Sequence, residues 1–168
     1  MPAKRGAPTY DGLVERMRAI QPVLKRRKLT VASAESCTGG LLAAVLTERS
    51  GSSDDYLGGA VVYSNEAKTI LADVAPDLIH GHGAVSPVVA AALARGARSR
   101  LGATIGLGIT GIAGPTGATP RKPVGLVYVA VDSDRHSTVR TLRLAFDRSG
   151  NRLASVDAAL DLLEEAIG

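Results

Sequence analysis

Two short stretches of this sequence carry side chains that could do covalent chemistry. In "SAESCTGG" (33–40) an apolar run gives way to two serines, a cysteine, a threonine and a glycine pair. A strand-to-helix junction of this kind leaves the first N–H groups of the helix without intrahelical partners, and the helix dipole favours negative charge there. Glycines let a substrate approach that backbone closely. A hydroxyl at Ser36 would therefore have donors at hand for the oxyanion of a tetrahedral intermediate. The plainer alternative is that Ser36 or Thr38 caps the helix. Cys37 is a second candidate nucleophile, although a small buried thiol fits the same place.

A serine nucleophile needs a base. His80, His82 and His136 fall in loops or at a strand edge, in no recognisable triad order. The stretch "YSNEAK" (63–68) offers another base. Ser64 or Asn65 can cap the helix that follows, which sets Lys68 in its first turn. The dipole there opposes a positive charge and favours the neutral amine. Neutral lysine can take a serine proton, and Tyr63 can share or relay it. The alternative is an ordinary exposed lysine on a helix.

A third stretch, "TGIAGPTGATPRKPVG" (110–125), packs four glycines and three prolines around hydroxyls and two cations. Such a loop presents backbone N–H groups to an anion, with Arg121 and Lys122 adding charge. "GLGITG" (106–111) matches G-x-G-x-x-G, but its first glycines lie inside a strand and Pro115 follows instead of a helix. A dinucleotide-binding reading is rejected on that ground. No Walker-type lysine, metal-spaced His/Cys cluster or paired acidic motif is present.

The elements that must position these groups can be read from periodicity. Residues 11–27 carry Leu13, Val14, Met17, Ile20, Val23 and Leu24 at helical spacing, with Pro22 expected to kink or split the helix. Strands are expected at 29–34, 56–64 and 103–110, and helices at 40–50, 65–74 and from Ser86–Pro87 to about Arg100. The 103–110 strand sets Ile105, Leu107 and Ile109 on one face and Gly106 and Gly108 on the other, and a glycine face lets something approach closely. Two hairpin strands (124–132, 137–146) and a helix (150–166) complete the pattern. Residues 82–86 read as a loop. Alternation of strands and helices, then a strand pair, predicts an α/β fold: a three-layer α/β/α sandwich with a mixed, mainly parallel central sheet. Residues 1–9 are expected to be a flexible tail and 10–168 one domain.

The chain has 168 residues, enough for a sizeable core. Cys37 is its one cysteine, so no intrachain disulfide can form and a reducing, cytoplasmic location is expected. No apolar run reaches the ~18 residues of a membrane span, and no leader is expected. The net charge of +4 invites a nucleic-acid reading. The one dense basic run, "KRRK" (25–28), instead suits a helix C-terminus, and 3% aromatic residues give no stacking platform. Neither nucleic acid nor membrane is expected as a partner.

Taken in order and spacing, "AESCTGG", "GSSDDYLGG", "YSNEAK", "HGAVS" and "TGIAGPTGATPRKPVG" resemble the CinA C-terminal domain family, over roughly residues 11–166. That family includes the nicotinamide-nucleotide amidohydrolases. The resemblance implies hydrolysis of the carboxamide of nicotinamide mononucleotide to nicotinate mononucleotide and ammonia, with no cofactor or required metal, by a homodimer of the stand-alone form. By matching positions it makes Ser36 the nucleophile, with Lys68 and Tyr63 assisting proton transfer. Backbone groups of Cys37, Thr38 and Gly39 would hold the oxyanion, and Thr110, Gly111, Ala113 and Gly114 would line the ligand site.

There are departures. The family commonly has glycine where Ala118 stands. Near its C-terminus it often shows a phenylalanine, then G-D-R, then a second arginine four residues on. Here Phe146 is followed by Gly150, Asn151 and Arg152, with Val156 where the second arginine is expected, so Arg152 is left as the phosphate contact, helped by Arg148. Two other functions stay open on this reading: a non-catalytic nucleotide-binding regulatory module, and an amidase for a related small amide.

Overall fold

Alternation of large and absent side chains along residues 105–110 sets the layers of the molecule. The computed structural model describes residues 6–168. Its elements are α1 (Tyr10–Arg27), β1 (Val31–Glu35), α2 (Leu41–Thr47), a 3-10 turn (Ser52–Asp54), β2 (Tyr56–Val61), α3 (Asn65–Ala72) and α4 (Pro76–His82). They continue with α5 (Pro87–Leu101), β3 (Ile105–Gly111), β4 (Leu126–Ser133), β5 (Ser137–Arg143) and α6 (Arg148–Ile167). The strands form one sheet in the order β2-β1-β3-β4-β5. β1 runs parallel to both β2 and β3, while β4 is antiparallel to β3 and to β5. This is the mixed sheet expected from the sequence, parallel through β2, β1 and β3 and closed by a hairpin.

On one face Ile105, Leu107 and Ile109 join Val127, Val129 and Val131 against α1, α2 and α6. On the other face α5 lies directly on the glycines. A Cβ at Gly106 would stand 2.0 Å from the Ala94 carbonyl oxygen, and one at Gly108 2.5 Å from that of Ala90. The group that approaches the glycine face is therefore a helix backbone. The same device recurs one layer out, where a Cβ at Gly96 would stand 1.7 Å from the Ala72 carbonyl oxygen. α3 is thus drawn tightly onto α5, and with it the lysine α3 carries.

Several expectations need correction. Pro22 does not split α1. The helix runs through it, from the Thr9 side chain, which accepts from the Gly12 N–H at 3.1 Å, to a left-handed Lys28. Met17, Ile20 and Leu24 are buried on both sides of the proline, and this packing offsets its one missing hydrogen bond. β1 extends one residue further than expected, to Glu35. α4 fills a stretch to which no element was assigned and overlaps the expected 82–86 loop only at His82, with Pro76 at its first turn. Of the expected N-terminal tail, residues 1–5 lie outside the described residues, and Thr9 is the cap of α1.

β1, β2 and β3 are parallel, so their C-terminal ends meet at one edge of the sheet. The chain leaves β1 for β2 on one side and reaches β3 on the other, so a crevice opens where the winding reverses. Ser36 follows β1 at that point.

Candidate active site

The turn that carries Ser36 is pinned from both sides. The Ser36 N–H donates to the Ile109 carbonyl at 2.9 Å, which ties it to β3. Gly39 and Gly40 then take left-handed φ values of +59° and +97°, which glycine adopts without strain. Neither Ser36 nor Thr38 caps α2. The cap is Glu35, 1% exposed, whose carboxylate oxygens accept from the N–H groups of Leu42 at 3.0 Å and Ala43 at 2.8 Å. A buried carboxylate is stable there because two backbone donors and the positive helix end meet it. The loop between strand and helix is held at both ends, and Ser36 sits at its start.

Lys68 reaches Ser36 from the opposite wall. Ser64 caps α3, accepting from the Ala67 N–H at 3.0 Å, and Lys68 lies one turn on, 2% exposed. Its Nζ stands 3.2 Å from Ser36 Oγ, 2.9 Å from the Val62 carbonyl and 3.4 Å from the Ser64 carbonyl. Burial pushes the ammonium pKa below its ordinary value, against weaker opposing fields from Cys37 and Glu66. Nζ donates to all three oxygens. A neutral amine could keep its two hydrogens on the two carbonyls and turn its lone pair to the Ser36 hydroxyl.

Ser36, Cys37, Tyr63, Asn65, Lys68, Thr110 and the 111–117 loop line a hollow of about 330 Å³, together with Arg148. Among the described residues, the N–H groups of Cys37 and Thr38 have no acceptor, whereas that of Gly39 is engaged by the Ser36 carbonyl at 3.1 Å. Thr38 is fully buried, and its side-chain oxygen has no partner among the described residues. Cys37 is 7% exposed, and burial pushes its thiol up to about 12, so it stays protonated at neutral pH. Thr110 donates to the Ala84 carbonyl at 2.8 Å, fixing the end of β3 against the loop before α5.

Tyr63 is 63% exposed on the rim. Its hydroxyl accepts from Arg148 at 3.2 Å and has no hydrogen bond to Lys68 or Ser36 among the described residues. Arg148 also donates to the Gly114 carbonyl at 2.7 Å, so the guanidinium spans the mouth of the hollow. Arg152 does not line the hollow. Its Nη2 donates to the Thr38 carbonyl at 2.8 Å and braces the turn after Ser36. Asp147 caps α6 through the Gly150 N–H at 2.7 Å, so Arg148 and Arg152 lie one turn apart near its start, while Val156 is fully buried in the core.

Sequence reasoning missed the roles of Glu35 and Asn151, and took Asn65 only as an alternative cap to Ser64, whereas it lines the hollow. Asn151 is 1% exposed and donates to the Ala113 carbonyl at 3.0 Å while accepting from the Phe146 N–H at 3.1 Å. It therefore clamps the glycine-rich loop to the start of α6. A polar residue inside the apolar stripe of a helix is the signal that could have revealed it.

The comparisons with known proteins agree with this architecture. The model of the CinA C-terminal domain matches residues 14–167. A CinA-like protein of Koribacter versatilis is 54% identical over 86% of this chain, and one of Mycobacterium marinum is 53% identical over 82%. The chain spans about a third of the length of the curated relatives it matches, 35% and 32% for these two. Among solved structures, a competence/damage-inducible protein of Agrobacterium tumefaciens is 38% identical, with a TM-score of 0.89 over 95% of this chain and 96% of that one. A CinA superfamily protein of Escherichia coli is 30% identical, with a TM-score of 0.86 over 94% and 90%. No helix among the described residues is long and apolar enough to cross a membrane. With the family model matched over nearly its whole length and relatives above half identity, this chain belongs to the CinA C-terminal domain family.

Proposed function

We propose that the chain is an amidohydrolase that converts nicotinamide mononucleotide to nicotinate mononucleotide and ammonia through a serine acyl-enzyme. The observation that carries this reading is the 3.2 Å approach of Lys68 Nζ to Ser36 Oγ in a buried setting that lowers the lysine pKa. Neutral Lys68 takes the hydroxyl proton as Ser36 Oγ bonds to the carboxamide carbon. The N–H of Cys37, which lines the hollow, receives the oxyanion, while Thr38, fully buried, stands behind it. Collapse of the tetrahedral intermediate breaks the C–N bond, and Lys68 returns its proton to the departing nitrogen, which leaves as ammonia. Water, deprotonated by the same amine, then adds to the acyl carbon and releases the carboxylate and Ser36. Lys68 serves both half-reactions.

Arg148 supplies the charge for the phosphate, and Arg152 keeps the Thr38 turn in place. Tyr63 is assigned the rim and the ring of the substrate, because its hydroxyl is bonded to Arg148. The chain works as a homodimer. Ammonia release from nicotinamide mononucleotide by the purified chain, without added metal, tests the reading. Turnover should disappear in Ser36→Ala, and turnover retained by that variant rejects the mechanism. A panel of nicotinamide, its riboside and its mononucleotide separates this substrate from other small amides.

A further inference from the structure

The first turns of α6 reach back to the Ser36 hollow with three side chains. Arg148, Asn151 and Arg152 share one face of the helix. They donate to the carbonyls of Gly114 at 2.7 Å, Ala113 at 3.0 Å and Thr38 at 2.8 Å, all in loops around the hollow. The two arginines are charged and partly open to water, and the proposed reaction already uses them. Asn151 is neutral and buried, and that reaction leaves it without a part.

Both ends of its amide are committed. Oδ1 accepts from the Phe146 N–H at 3.1 Å, so the –NH2 end must face the Ala113 carbonyl, which can only accept. The glycine-rich loop depends on that contact. Strand pairing ends at Gly111, and Ile112 is still tied to Leu126 and Gly125. Between Ala113 and Ala118, among the described residues, the hydrogen bonds to the rest of the protein are the two from Asn151 and Arg148. Ala113 is also packed in the core, but apolar packing has no direction and does not decide which way a carbonyl points.

The direction matters because of the N–H on the same peptide group. The Ala113–Gly114 peptide is trans, so its C=O and N–H point to opposite sides. With the carbonyl held toward α6, the Gly114 N–H is turned away from the helix. Among the described residues that N–H has no acceptor, and Gly114 lines the hollow beside Arg148. We propose that Asn151 is a positioning residue for substrate recognition: by holding the Ala113 carbonyl it aims the Gly114 N–H into the hollow as a second donor to the substrate phosphate. That the anion is a phosphate rests on the amidase reading of the hollow. A backbone N–H beside a guanidinium suits an anion, because the first supplies direction and the second charge.

Binding separates this role from plain stability. In the Ser36→Ala chain no substrate is consumed, so calorimetry reads the dissociation constants of nicotinamide mononucleotide and its riboside directly. Asn151→Leu, added to that chain, keeps the volume and removes the donor. It should weaken the mononucleotide by roughly tenfold, the scale of one charge-assisted hydrogen bond, and leave the riboside, which has no phosphate, within about threefold. Retained riboside binding also verifies the fold of the hollow. Asn151→Asp, the residue of the family pattern at this place, donates to Ala113 only while its carboxyl holds a proton. The charged groups of its own turn are Asp147, Arg148 and Arg152, and the 111–117 loop that faces it brings none. Burial keeps a carboxyl protonated above its ordinary range, so its loss against the Asn151 chain should be small at about pH 5 and reach that of Asn151→Leu at about pH 8. The loss in Asn151→Leu should be the same at both. Equal losses for the two ligands, or no loss in Asn151→Leu, overturn the proposal, as does an Asn151→Asp loss that ignores pH. A chain with Asn151 that binds the mononucleotide but, with Ser36 in place, releases no ammonia rejects the amidase reading alone. One that does not bind the mononucleotide overturns both.

Discussion

The floor and the rim of the Ser36 hollow are built by different means. On the floor, Ser36 is tied by its backbone to β3, and Lys68 is held by the Val62 and Ser64 carbonyls, with both side chains buried. On the rim, Tyr63 and Arg148 are exposed and are held by each other and by the Gly114 carbonyl. Backbone contacts inside a packed core leave a side chain one position. An exposed side-chain pair can be rearranged by whatever binds. The floor is therefore suited to bond making, which needs reacting atoms fixed in advance, and the rim to recognition. On this division, damage to the floor lowers kcat and damage to the rim raises KM.

The strongest break is expected at Lys68. Lys68→Met keeps the apolar stem and removes the base, and kcat should fall by roughly 10²–10⁴ with KM little changed. The pH profile supplies the sign. The neutral amine is the active form, so kcat/KM should climb as pH rises through the lysine ionisation and level off above it. Burial lowers that ionisation, so the midpoint should fall below the ~10.4 of a free lysine. Lys68→Arg, which stays charged, should lose the climb altogether. A profile flat from pH 6 to 10 in the unmodified protein would contradict a neutral-lysine base.

How much of this was legible beforehand follows the same division. Ser36 and Lys68 could be singled out because each stands at a strand-to-helix junction, and such junctions announce themselves locally. That they meet across the crevice is tertiary, and the family resemblance supplied it. The layers of the sheet could be read because Ile105 to Thr110 alternate so cleanly. Glu35 was missed because a carboxylate buried at a strand end makes sense only once the distant N–H groups of Leu42 and Ala43 are in view. α4 is one short helix, too brief to show a period, and Pro76 was its one local sign. Arg148 was given only a helping part because α6 was expected to begin at Gly150. A start at Arg148 is what aligns Arg148 with Arg152 on one helical face.

On the rim, Arg148→Ala should raise KM for the mononucleotide by about one to two decades, since a charge-assisted contact contributes roughly 1.5–3 kcal/mol. KM for the riboside, which lacks the phosphate, should stay within about threefold. Equal losses for both substrates would move Arg148 from phosphate recognition to the support of the Gly114 loop. Glu35→Gln sharpens the comparison from the floor. One acceptor oxygen becomes an amide group facing a backbone donor, and the loss of a helix cap costs about 1 kcal/mol. That corresponds to a drop of roughly 2–4 °C in Tm for a chain of this size, and a several-fold fall in kcat should accompany it without a matching change in KM. A kcat unaffected by the lost cap would separate the helix end from the placing of Ser36.

The smallest effect, and the most discriminating, is expected at Tyr63. As a proton relay the hydroxyl would be indispensable, and Tyr63→Phe would cut kcat by orders of magnitude. Its bond goes to Arg148 instead, at 3.2 Å on an exposed rim. Water competes for such a bond, so its net contribution is roughly 0.5–1 kcal/mol, or about two- to fivefold. That factor should appear in KM, because the phenylalanine keeps the ring and loses the anchor that orients Arg148. In Arg148→Ala the same tyrosine change should add nothing further, since its partner has gone. A large kcat loss in Tyr63→Phe that persists in the double variant would place the hydroxyl in the proton path and erase the division between floor and rim.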